Sequence, residues 1–166
     1  MKGLTVMALK ERIRKLNAIR YVCRQDSAVD EEKSDRETYQ KDPVTNADCL
    51  LFKEGEEPTV FILNFEPNAK ETAMINDLRV DTMRDSRGAT MTLGSWALAV
   101  CRYCIKGIEN PPNIKPFVEF KKDGRGYIAD SVLDKLSQVG VVDEVWALYI
   151  SMRESLEVEK AELKNS

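Results

Sequence analysis

The stretch CRYC, with Cys101 and Cys104 three positions apart, is the sharpest chemical pattern in this chain of 166 residues. Thiols at that spacing serve a zinc site, a redox pair or the buried face of a helix. A closed zinc site draws further Cys or His ligands into a tetrahedral set, whereas the remaining thiols, Cys23 and Cys49, are isolated and the chain contains no histidine. A redox pair opens a helix, where the partial positive charge lowers a thiol pKa. CRYC falls late in the helical pattern SWALAVCRYCIKG, with apolar residues one turn to either side. The spacing therefore predicts core packing, with the thiols reduced and no metal bound.

The other reactive side chains form no ordered constellation. Glu54, Glu56 and Glu57 lie in a turn-like stretch, and Asp30, Glu31 and Glu32 in a polar one. The absence of histidine removes the commonest general base near neutral pH. DGRG lacks both the P-loop lysine and the dinucleotide glycine spacing, so its glycines read as turn residues. No catalytic residue is nominated, no cofactor is called for, and the expectation is a non-enzymatic protein.

The elements that position these residues follow from periodicity. Apolar residues make up 43% and charged residues 32%, the balance of a folding chain rather than a disordered one. The charge is uneven: residues 1–24 hold seven Lys or Arg against Glu11, and 26–37 hold six acids against Lys33 and Arg36. Val6, Leu9, Ile13 and Leu16 have helical spacing, so 1–24 reads as a basic amphipathic helix. Nucleic acid is disfavoured as its partner because the chain offers no basic groove or aromatic platform. Residues 25–46 read as an acidic, mobile linker ending at Asp42-Pro43, which leaves 47–166 as the folded domain.

Within that domain DCLLFK and TVFILNFE suggest a β-hairpin or two edge-to-edge strands. A helix follows from Pro67, and DSRGAT breaks it. A second helix, capped by Thr92 or Ser95, is expected to run to Gly107. IKPFVEFKKDGRGYIA reads as another hairpin turning at Asp123-Gly124, with Phe117 to Phe120 on one side. Asp130 or Ser131 caps a short helix ended by Gly140, and a long helix follows. The fold class is α+β: a predominantly helical domain with small β-hairpins and an N-terminal amphipathic helix. No run reaches the ~20 apolar residues that span a bilayer, and the opening residues lack the apolar core of a signal peptide. The expected location is the cytoplasm.

The order ALAVCRYCIKGIENPP, then PFVEFKKDGRGYIADSVLDKL, then VVDEVWALYISMRESLEVEKAELKNS resembles bacteriophage tail assembly chaperones of long-tailed phages, over about the last 75 residues. The resemblance implies a viral protein in the host cytoplasm that binds tape measure and tail tube proteins during virion assembly. It carries no catalytic residues. Competing readings are a structural particle component (neck, tail-completion or baseplate) and a small effector that binds a host protein. On the terminal helix, Trp146, Tyr149, Met152 and Leu156 place large apolar groups three and four residues apart, the spacing of a helix that meets a partner. These four residues are the candidate partner-binding set. Met152 and Leu156, where the sequence turns polar, are the stronger candidates for contact with a tail protein or for self-association.

Overall fold

A computed structural model of the chain describes residues 5–7, 16–84, 89–110 and 118–165, with side chains outside the description at 80–84, 89–93 and 159. It has an α+β fold in which helices surround a small antiparallel sheet ordered β1 (Ile19–Tyr21), β2 (Val60–Leu63), β3 (Ile105–Glu109). The central strand, β2, holds Phe61 and Leu63 fully buried, as its continuous apolar run requires.

Four local expectations give way to tertiary pairing. The N-terminal helix does not extend to residue 24. Val6, Met7 and Leu16 are helical, most of the expected helix lies outside the described residues, and Ile19–Tyr21 is a strand paired with Leu63–Phe61. Helical spacing and strand alternation both fit Ile19 and Tyr21, and the available edge of β2 decides between them. Arg20, on the opposite face, reaches across the sheet to Glu109 at 2.6 Å.

The segment read as a mobile linker is folded onto the core. It contains helix α1 (Arg36–Lys41), N-capped by Asp35, whose carboxylate accepts the Thr38 N–H at 3.2 Å. Ala28, Val29 and Tyr39 are buried. Arg36 donates to the Val22 and Cys23 carbonyls, each at 3.0 Å, and the Tyr39 hydroxyl accepts the Val22 N–H at 2.9 Å. The acids that suggested a solvated linker act as turn formers: Asp26 accepts from Ala28 and Thr59, and Asp42 from Val44 and Thr45. One continuous core, with residues from Leu16 to Leu156, draws on all three proposed segments.

The first hairpin does not form. Ala47–Cys49 is a 3-10 turn, Phe52 bridges singly to Val29, and β2 pairs with β1 and β3 instead. In the second hairpin a single bridge joins Lys122 to Ile128 around an Asp123 carboxylate that accepts from the Arg125 and Tyr127 N–H groups; Phe117 lies outside the described residues.

Helix α2 (Ala69–Arg84) begins after Pro67 with a reciprocal cap, in which Asn68 accepts the Glu71 N–H at 2.8 Å and Glu71 accepts the Asn68 N–H at 2.9 Å. Most of the DSRGAT break lies outside the described residues. Helix α3 (Ala89–Cys104) starts upstream of Thr92 and Ser95 and passes directly into β3. Gly107 is therefore a strand residue opposite Ile62 and ends no helix. A Cβ there would meet Ile62 Cγ1 at 3.5 Å.

Helix α4 (Asp130–Gln138) has Ala129 at its N-cap with no side-chain cap, so neither Asp130 nor Ser131 plays that part. Gly140, at φ 79°, turns the chain into α5 (Val141–Lys164), a conformation that favours glycine. At 24 residues, α5 is about 36 Å long at ~1.5 Å per residue. Both α2 and α5 pack against α3.

Candidate docking groove

The CRYC thiols sit where the spacing predicts, on the buried face of α3. Cys101 and Cys104 are fully buried, and the Cys101 thiol donates to the Val142 carbonyl of α5 at 3.5 Å. Burial pushes the Cys101 thiol well above its usual range and that of Cys104 up to about 12. Such thiols stay protonated and are poor nucleophiles. Burial likewise raises Cys23, with the Glu144 carboxylate beside it adding to the shift. Among the described residues no group of three or more His, Cys, Asp or Glu is placed to hold a metal ion, and no helix is long and apolar enough to cross a membrane.

The four residues singled out on α5 divide. Leu156, 2% exposed, and Tyr149, 7% exposed, belong to the core. Met152 is half-buried beside Leu16 and Leu156, and Trp146 is half-buried against Trp96 of α3, ring centroids 5.3 Å apart and edge to face. The domain does not end before Met152 and Leu156, because Leu16 and the turn at Asp42 to Val44 close over them. The buried side of α5 thus extends a turn further than its polar tail suggests.

What remains open on α5 is the neighbouring face. Because α2 and α5 each pack on α3, a groove of about 580 Å³ is left between them. Thr72, Ile75, Asn76 and Arg79 supply one wall, three and four residues apart on α2. Ile150, Glu154, Glu157 and Val158 of α5 supply the other. Trp96 lines it from α3 with Tyr149, the only member of the nominated set in the groove. Val158 is 58% exposed despite its apolar side chain.

The charges on the two walls differ. Arg153 is held by Glu66 at 2.8 Å, with Glu157 at 3.9 Å. Glu154 adds a second carboxylate to the α5 wall, and the Arg79 guanidinium lies 5.8 Å from the Trp96 ring. Among the described residues the buried indole Nε1 atoms of Trp96 and Trp146 find no acceptor. A trough between two helices, with apolar groups at Ile75, Trp96, Tyr149, Ile150 and Val158 and charges of both signs around them, including Lys160 3.5 Å from Glu157, suits the apolar face of a third helix.

The sequence reading missed Ile150, Val158, Trp96 and Arg79 as surface residues. One signal was available: Val158 follows Ile150 by two turns inside an otherwise polar tail, on a different face from Met152 and Leu156. The α2 wall had no such signal, because only the packing of α2 and α5 on α3 brings the two walls together. No protein-family signature, curated protein or solved structure matches this chain.

Proposed function

We propose that this chain is a tail assembly chaperone of a long-tailed bacteriophage, a non-enzymatic protein of the host cytoplasm. It holds a helix of the tape measure protein in the groove between α2 and α5 while tail tube subunits are recruited. The observation that carries this reading is the groove itself, which lies between two helices and has an apolar floor at Ile75, Trp96 and Tyr149 and an exposed Val158 on its rim. An amphipathic helix docks in such a trough through apolar anchors at three- and four-residue spacing, and its flanking charges set its direction. The resemblance of about the last 75 residues to such chaperones supplies the partner class.

The test is co-expression of the full chain with the tape measure protein of the same phage, followed by affinity capture. The wild-type chain should retain the tape measure protein, and Val158→Asp should reduce retention about tenfold, the cost of burying one charge in an apolar contact. Phe52→Asp, on an exposed residue outside the groove lining, should leave retention unchanged. Absence of capture, or equal capture by folded Val158→Asp, would overturn the reading.

A further inference from the structure

We propose that one end of the sheet carries a second binding site, a pocket for a small organic cation with an apolar body. Side chains alternate across paired strands, so Ile19, Tyr21, Phe61 and Leu63 face the core while Arg20 and Val60 share the other face. The chain between Tyr39 and Pro58 folds over one end of that face. With Val22 just past β1 and Asn110 just past β3, it leaves a pocket of about 410 Å³. Sites for small molecules run from roughly 300 to 1,000 Å³ and are mostly apolar, with a few polar groups that fix orientation.

The pocket has both parts. Its floor is Val22, Tyr39, Leu50 and Val60, all buried in the fold yet lining the space. Its walls come from three stretches distant in sequence and are bonded to one another. The Tyr39 hydroxyl accepts the Val22 N–H at 2.9 Å, Thr59 Oγ1 donates to the Asn110 carbonyl at 2.6 Å, and Asn110 Nδ2 donates to the Pro58 carbonyl at 3.2 Å. These bonds hold Asn110 at φ 56°, a conformation few side chains other than Asn tolerate. A cavity whose walls are already fixed binds with less ordering cost.

Charge selects the ligand class. Arg20 stands at the rim, but its guanidinium is bonded to both carboxylate oxygens of Glu109, at 3.2 and 2.6 Å, so that pair is neutral as a unit. Glu57 lines the pocket with no hydrogen bond or ion pair among the described residues. Asn110 uses its side-chain nitrogen on Pro58 and keeps its oxygen as an acceptor. The polar groups left at the mouth therefore accept, and one of them is an uncompensated carboxylate. An ammonium group donates to both while its apolar body covers Tyr39, Leu50 and Val60; a carboxylate ligand would meet Glu57 with no unpaired cation in the lining.

The probe is 2-phenylethylamine, titrated into the full chain and followed by backbone amide shifts, with 3-phenylpropionate and 2-phenylethanol as anionic and neutral counterparts. The amine should bind in the millimolar range, as suits a ligand of its size, and move the Val22, Leu50, Val60 and Asn110 amides. The propionate should bind at least about tenfold more weakly. Glu57→Gln, at an exposed position, should weaken the amine about threefold or more and leave the alcohol unchanged. Ala47→Trp, also exposed and on the pocket lining, should block all three probes. No shifts at these amides, equal binding of amine and propionate, or amine binding unaffected by Glu57→Gln or by Ala47→Trp in a folded chain would overturn the proposal. None of these readouts involves the α2–α5 groove, so the site stands or falls apart from the chaperone reading.

Discussion

Two regions of this protein are held by different physics. Residues 22–58 contain one short helix and a 3-10 turn, and their path is fixed by side chains that bond to backbone: Asp26, Asp35, Asp42, Ser34, Arg36 and Tyr39 each satisfy one or more N–H or C=O groups. The α3 and α5 pair is held by apolar burial, with Val100, Cys101, Cys104, Val145 and Leu156 all nearly inaccessible. In the first region one polar side chain organises several residues, and little apolar area is needed. In the second the contribution is spread over many contacts, about 25 cal/mol per Å² removed from water, and no single group is indispensable unless a charge is put in its place.

That contrast can be broken most sharply at the far end of α5. Met152→Asp with Leu156→Asp inserts two carboxylates beneath Leu16, and the loss should be at least about 4 kcal/mol, a large part of the stability of a domain this size. Circular dichroism melts should show a chain unfolded or close to it at 37 °C. A folded double variant that only loses a binding partner would return these residues to the surface role first inferred for them.

A smaller effect is expected in the hydrogen-bonded region. Asp26→Ala removes the acceptor that Ala28 and Thr59 share, at 2.9 and 2.7 Å, and should cost about 2 kcal/mol. Burial raises the Asp26 carboxyl, which offsets part of what its bonds provide. Limited proteolysis should then cut first between residues 24 and 58 while α3 to α5 stay resistant; uniform resistance would mean that Asp26 does not organise this segment.

The smallest effect at neutral pH is that of the buried thiols. Folding raises the Cys104 pKa from an ordinary 9.0 to about 12, and Cys101 and Cys23 shift the same way. The folded state therefore favours the protonated thiol. The stability this provides is complete below about pH 9 and is lost progressively as pH rises towards 12. Urea melts across that window should show a falling midpoint, shallower in a Cys104→Ala variant. A midpoint flat from pH 8 to about 11 would contradict the burial. At pH 7, native labelling should reach half-buried Cys49 alone among the four cysteines.

Much of the helical half was legible in the sequence because its signals are local. Gly140 marks the turn into α5, Pro67 stands just ahead of α2, and the apolar repeat through Val142, Val145 and Tyr149 names the buried face. The CRYC spacing fixed the role of its thiols for the same reason, since two positions one turn apart share a helix face whatever packs on it. The sheet and the groove were not legible, because each depends on a partner distant in sequence. Ile19 to Tyr21 fit a helix or a strand until β2 offers an edge. The acids of residues 26–42 read as solvated until the backbone groups they accept from are brought near. Val158 is an ordinary tail residue until α2 stands across from it. The sequence alone determined the α+β class, the long terminal helix and the buried thiols, through periodicity and caps that act within a few residues. Tertiary structure decided which strands pair, that residues 25–46 belong to the core, and which face of α5 stays open, because these depend on which distant surfaces exclude water from one another.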